Sequence, residues 1–345
     1  MAPLSRSYDL ADLADLGALK HLVLGPTALV FAALIDIYLA STVFFYGADP
    51  LAGALSFFVF GAATGVPIQL ALARTRLART LERAAGGDPT ETAYDRWAAA
   101  KTGALGAAST VTWLYALAQA DPTVVLPLAS MAPVLLFLVD SAQGKILLKQ
   151  AILPLILVLA GFWIVRSPGV IAAASLTMPV VLALILRNVA SAGSELFERK
   201  GAAGSLSGFT AFRFCWLAIA GIPVALVAAY ATGRGEACQT LIGNAWPVAL
   251  PLHTVTMALT FFGGIDRISA KKDLPLSVCS AAYATPQVLA PLVAAFANQM
   301  LAGLFPTVVA SPGMFLGAAL VVGGSGWLAR LQCLPTNPNL RGDTE

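Results

Sequence analysis

Residues 58–67 read FVFGAATGVP, and residues 214–223 read FCWLAIAGIP. Aligned, Phe58, Phe60, Gly65 and Pro67 meet Phe214, Trp216, Gly221 and Pro223 at an offset of 156. Three further matches follow in chain order. Pro26, Ser41 and Phe44 recur as Pro179, Ser194 and Phe197, and Pro122 and Pro133 recur as Pro275 and Pro286, both at an offset of 153. Trp163-x-x-Arg166 recurs as Trp327-x-x-Arg330 at an offset of 164, after a longer loop. One such match carries little in so biased a composition. Four in order, at nearly one offset, point to a duplicated chain.

The solvent of that chain follows from its composition. Hydrophobic residues make up 58% and charged residues 11%, with a mean hydropathy of +0.79. A soluble domain carries about 25% charged residues, so too little polar surface remains here to wrap a globule in water. Apolar runs bounded by charges or Gly/Pro clusters predict ten spans: 23–46, 51–74, 97–119, 122–142, 149–166, 170–196, 208–231, 244–264, 275–297 and 311–330. Lipid offers no partner to free backbone groups, so these spans are expected to be helices.

Orientation is read from the basic residues. With the N-terminus inside, 19 of the 21 Lys and Arg fall on one side, leaving Arg166 and Arg234 for the other. Adding or losing one span would scramble this segregation. The expectation is therefore an all-α polytopic membrane protein with ten transmembrane helices and both termini cytoplasmic. Five is odd, so the second copy enters from the opposite face and the two five-helix repeats are inverted. The divisions are a cytoplasmic N-terminal segment (1–22), a first repeat (23–168), a second repeat (169–330) and a cytoplasmic tail (331–345).

With these features the chain resembles the drug/metabolite transporter superfamily, in its ten-helix EamA-like branch. The segment ALAQADPTVVLPLASMAPVLLFLVDSAQGK (116–145) carries the resemblance, with a short turn between spans three and four and Pro133 within span four. Pro286 is its counterpart, and the resemblance covers about residues 23–330. It implies a central cavity lined by spans 1, 3, 4, 6, 8 and 9. Spans 5 and 10 would be peripheral, supporting packing or homodimer contacts. The expected activity is movement of a small organic metabolite by alternating access, with lipid and solute as partners.

Asp36 is the sharpest candidate residue, since a carboxylate within an apolar span should face the bundle interior or a wet cavity. It is read as a proton-coupling group or as an aspartate satisfied by a neighbour. An acid in the first helix also looks like the arrangement in the small multidrug resistance proteins. Arg187 and Asn188 occupy nearly the symmetric place in span six. Arg187 either pairs with Asp36 or snorkels to the headgroups, and His253 in span eight either shuttles a proton or hydrogen-bonds as a neutral ring. Tyr38, Thr112, Trp113, Tyr115, Gln119, Ser130, Tyr283 and Gln287 complete a set of aromatics, hydroxyls and amides suited to an amphipathic solute. Pro133 and Pro286 are hinges or static kinks. Glu195, Glu198, Asp140 and Arg213 read as surface or gate ion pairs near the cytoplasmic ends.

Competing functions are weighed on the same residues. Gly323-Gly324-Ser325-Gly326 matches the GxSG of an intramembrane serine hydrolase, but no histidine follows it and close helix packing explains four small residues. Exchangers of sugar phosphates or nucleotide sugars want several membrane cations, whereas Arg187 alone qualifies by sequence. Two histidines without HExxH leave no catalytic zinc site, no cofactor or metal is expected, and a net charge of +3 gives nucleic-acid binding no support. Cys215, Cys279 and Cys333 look like small core residues, and Cys238 falls in a loop placed outside. Abundant Ala, Gly and Arg with few Lys suggest a GC-rich bacterium and its inner membrane.

Overall fold

The structure is a computed structural model and describes residues 49–88, 90–119, 128–129, 131–143, 148–166, 177–201, 203–231, 233–273, 276, 279–280 and 312–333. Every regular element among the described residues is helical. In chain order they are α1 (Pro50–Phe60), a π turn (Gly61–Gly65), α2 (Val66–Leu72), α3 (Arg76–Ala84), α4 (Arg96–Gln119) and α5 (Ala132–Ala142). Then come α6 (Leu148–Arg166), α7 (Met178–Gly201), α8 (Leu206–Ala231), α9 (Gly235–Asp273) and α10 (Pro312–Cys333). Among the described residues, three continuous stretches are long and apolar enough to cross a membrane: Leu51–Leu72, Met178–Gly201 and Leu206–Ala231. Gly235–Pro247 and Ala249–Lys272 make a fourth if the 76° bend between them lies within one span. The expected first span lies outside the described residues, as does nearly all of the ninth.

The outer surface shows why such helices suit lipid. On α7, Leu182, Ile185, Leu186 and Val189 are exposed at i, i+3, i+4 and i+7, while Asn188, Ser194, Glu195 and Glu198 are buried. A water-soluble helix has the reverse pattern. Apolar side chains facing out and polar ones facing in mark an integral membrane protein. The lipid-like exterior continues on α8 through Ile219, Val224 and Val227.

One sequence expectation is extended and another corrected at the ends of the helices. The segment 75–96, left between the second and third expected spans, contains α3. Thr75 caps it, its Oγ1 accepting from Ala78 N at 3.2 Å. Gly86, at φ +82°, ends it in the left-handed conformation that glycine adopts without steric cost. Cys238, placed in an outside loop, instead lies buried in the first turns of α9. The chain leaves α8 through Gly233 at φ +71° and is helical again by Gly235, so no loop remains to hold the cysteine.

The core sits where α1, α4, α7, α8 and α9 meet, around Phe58, Trp113, Leu114, Leu184, Phe214 and Met257. A second cluster under α3 joins Ala78 and Ala85 to Phe209, Phe261, Ile265 and Ile268. Helix backbones approach closely at glycines. A Cβ on Gly103 would stand 2.4 Å from Arg213 O, and one on Gly161 would stand 2.6 Å from Gly317 O. The second contact locks α6 to α10 through small residues, as membrane helices commonly pack.

The repeated motifs meet each other. A Cβ on Gly221 would lie 2.3 Å from the Phe58 ring, and one on Gly65 would lie 3.0 Å from the Phe214 ring. Phe58 thus fills the space beside Gly221 and Phe214 fills the space beside Gly65. Ascending numbers in one helix oppose descending numbers in the other, so the two helices are antiparallel where they touch.

Candidate functional site

The interior polar groups fall on one face of α7. Asn188, Glu195 and Glu198 recur at intervals of seven and three, which stacks them along about 15 Å of helix. At the lower end of this stripe, Glu198 is 1% exposed and receives Arg213 of α8 and Lys271 of α9, both in direct contact. Arg267 of α9 lies 3.3 Å from Glu198 and 3.4 Å from Glu195. Lys271, fully buried at 0% exposure, also lies 3.3 Å from Glu195. Ser280 donates to Glu195 at 3.0 Å. Of the two alternatives, surface or gate ion pairs, burial removes the surface one for Glu195 and Glu198. Asp140 is buried as well.

The helix ends explain how this network is assembled. Arg213 lies two turns into α8, whose start is held by Glu82 of α3. Glu82 Oε1 accepts from Leu206 N at 2.6 Å and its Oε2 from Ser207 Oγ at 2.7 Å. A carboxylate there satisfies orphan amides and complements the helix dipole. On α9, Arg267 and Lys271 are one turn apart and so share a face. Ser269 donates to Ala85 O just after α3, tying the end of α9 to the same region. Three cations from two helices converge on two carboxylates of a third. Each charge thereby keeps a partner, as burial demands.

Higher on α7, the Arg187 guanidinium lies 5.8 Å from the Trp113 ring centre, which points it across α4 rather than out along the helix. Asn188 Nδ2 donates to Leu128 O at 2.7 Å and to Leu184 O at 2.8 Å. Its buried Oδ1 has no hydrogen-bond partner among the described residues. Trp113 is buried in the core cluster, and Tyr115 is partly buried against the same cluster. Thr112 spends its hydroxyl proton on its own helix, at Ala108 O and Ser109 O. Gln119 is exposed at the end of α4. Pro133 stands in the first turn of α5, where a missing N–H costs nothing. The structure thus brings Trp113, Arg187 and Asn188 together at one level. Asp36, Tyr38, Ser130, Tyr283, Pro286 and Gln287 lie outside the described residues.

His253 belongs to a separate polar seam between α1–α2 and α9. It is fully buried, with Nε2 3.3 Å from Ser56 Oγ and its ring tilted against Phe57 and Phe60. Thr254 donates to Thr64 at 3.0 Å, and Gln69 Nε2 donates to Met257 O at 3.0 Å. At the far end of α1, Asp49 accepts from Leu51 N and Ala52 N and pairs with Arg234 at 2.9 Å.

No protein-family model and no curated protein matches the chain. Among solved structures, a chain described as "Crystal structure of protein" superposes with a TM-score of 0.57 at 20% identity. The match covers 91% of this chain and 97% of that one. The likeness is one of fold.

Sequence reasoning missed Arg267 and Lys271 as site residues, offered Ser280 only as a cavity-lining hydroxyl, and undervalued Glu195 and Glu198. A signal was available: two acids three apart on an apolar helix, and two cations four apart on another, each set fit for one inward face.

Proposed function

We propose that the chain is a secondary transporter moving a small organic metabolite, amino-acid-like, amphipathic or cationic, across a bacterial inner membrane by alternating access. The observation that carries this reading is the crosswise packing of Phe58 on Gly221 and Phe214 on Gly65. Equivalent residues of two related segments meet antiparallel, the relation a twofold axis in the membrane plane would impose on inverted five-helix repeats. Other contacts agree. The α4–α8 and α9–α1 pairs exchange under that axis, and so do α1–α4 and α8–α9. A duplicated, inverted bundle has two near-equivalent packings, one open to each side.

The interior supplies the polar elements a carrier needs. Trp113, Arg187 and Asn188 lie at the α4–α7 junction, where an aromatic face and an amide suit a partly apolar solute. The ionic network raises the count of interior cations above the one legible in sequence. Glu195 and Glu198 occupy them, leaving little surplus for a phosphate polyanion, so the sugar-phosphate exchanger is disfavoured. Asp36 is the proposed proton-coupling residue, both termini are assigned to the cytoplasm, and the outward faces of α6 and α10 are the proposed homodimer contact.

Reconstitution in proteoliposomes tests the reading. Amino acids and organic cations are screened with and without a pH gradient. Uptake of a member of either class is expected, and its dependence on pH should be lost in Asp36→Asn. Absence of solute movement across the screen, with hydrolysis of a membrane peptide instead, would overturn it.

A further inference from the structure

We propose that α3 and the start of α4 form a binding surface for anionic phospholipid headgroups. This surface stands on the membrane character of the chain and not on the transport reading. On α3, Arg76, Arg79 and Arg83 recur at three and four residues, so they project from one face, while Ala78 and Glu82 bury the other. Arg96 and Trp97 follow at the start of α4, and Trp97 is 77% exposed. Leu77, beside the arginines, is exposed as well.

Among the described residues, none of these four guanidiniums has an ion-pair partner, although four carboxylates lie in the same stretch. Each is engaged elsewhere. Glu82 holds the start of α8, and Asp88 accepts from Thr90 N at 2.8 Å and Thr90 Oγ1 at 2.6 Å. Glu91 accepts from Ala93 N at 2.7 Å, and Asp95 accepts from Ala98 N at 2.8 Å. These acids bond to backbone N–H groups and hydroxyls rather than to the arginines, so the guanidinium N–H groups stay available to an outside partner.

Position selects the membrane as that partner. The span Leu51–Leu72 ends four residues before Arg76, a reach of no more than about 14 Å. The α3 side chains are thereby held close to the headgroup layer on the side where α8 begins and α9 ends. An amphipathic helix with arginines on its free face and an exposed tryptophan beside it suits that layer. A guanidinium grips a phosphate through two parallel hydrogen bonds. Each arginine near an anionic surface contributes about a fivefold factor in binding.

Native mass spectrometry of the full chain in detergent, titrated with phosphatidylglycerol and phosphatidylcholine of matched acyl chains, reads this directly. Phosphatidylglycerol adducts should dominate. The triple variant Arg76→Gln/Arg79→Gln/Arg83→Gln should lose at least tenfold of that preference at an unchanged melting temperature, and the triple Lys variant should keep most of it. Equal adducts of both lipids, or an undiminished preference in the Gln variant, would sink the proposal. Displacement by millimolar inorganic phosphate would assign a free-anion site instead. A change of oligomeric mass in the Gln variant would assign the face to a second copy. Either result overturns the lipid assignment. Should the triple variant fail to fold, Leu77→Cys carrying an environment-sensitive fluorophore gives a second reading. Brominated phosphatidylglycerol should quench it more than brominated phosphatidylcholine, and equal quenching counts against the assignment.

Discussion

Replacing Glu198 with glutamine should destabilise the protein far more than replacing Lys271 with methionine. Glu198 is contacted by Arg213, Lys271 and Arg267. Without its charge, Arg213 has no other carboxylate among its described contacts, and Glu195 must serve both Arg267 and Lys271. Uncompensated buried charge costs about 3–5 kcal/mol. Lys271→Met leaves Glu198 with Arg213 and Arg267, and Glu195 with Arg267, so the loss is closer to one charged hydrogen bond, about 1.5–3 kcal/mol. The double variant removes one charge of each sign and should cost less than the sum of the singles by about 1 kcal/mol or more. At about 2 °C per kcal/mol for a chain of this size, Glu198→Gln should melt roughly 6–10 °C below the parent. The assay is thermal unfolding in detergent, followed by the fraction that stays monodisperse on size exclusion. Melting of Glu198→Gln within 2 °C of the parent, or strict additivity in the double variant, would refute the claim that these groups form one coupled network.

Three further outcomes are read by the same melting assay. Gly161→Ala should destabilise by about 1–3 kcal/mol, since its Cβ meets Gly317 O. Gly323→Ala, with nothing within 4 Å, should stabilise by up to about 1 kcal/mol through helix propensity, so the two changes should differ in sign. Gly221→Ala should be relieved by Phe58→Leu, whereas Gly65→Ala should not be, because Gly65 faces Phe214 and Met257; equal relief of both would break the crosswise pairing. Glu82→Met strands the buried Leu206 amide and should cost about 1–3 kcal/mol. Glu82→Gln keeps an acceptor and should lose only about 0.3–1 kcal/mol of dipole interaction.

Much of the site was half-legible. Trp113, Arg187 and Asn188 were chosen from the sequence as interior candidates, and they do lie together at the α4–α7 junction. Thr112 was chosen on the same grounds, yet its hydroxyl turns back on its own helix. Helical periodicity narrows which face a residue takes but does not say whether a Thr rotamer reaches outward. Glu195 and Glu198 were recognised as ion-pairing residues near a helix end, with surface and gate both left open. Their burial depends on α9 continuing as helix to Asp273, beyond the apolar run that ended the sequence-based span at 264. Lys271 was invisible as a site residue for the same reason. Polar tails of helices read like loops until a partner covers them.

What the residues determined by themselves is the solvent and the rough plan: few charges, apolar runs of bilayer length, and glycine–aromatic motifs that recur at a steady offset. Those properties are local, because hydropathy and chain length need no neighbour to act. Tertiary structure alone decided that Phe58 meets Gly221 and that Glu198 meets Lys271, 73 residues away in sequence. It also decided that, among the described residues, the arginines of α3 have no ion-pair partner while each nearby acid bonds elsewhere. Such pairings depend on close packing between helices, where a fraction of an ångström separates a contact from a clash and burial converts a weak surface attraction into a strong one.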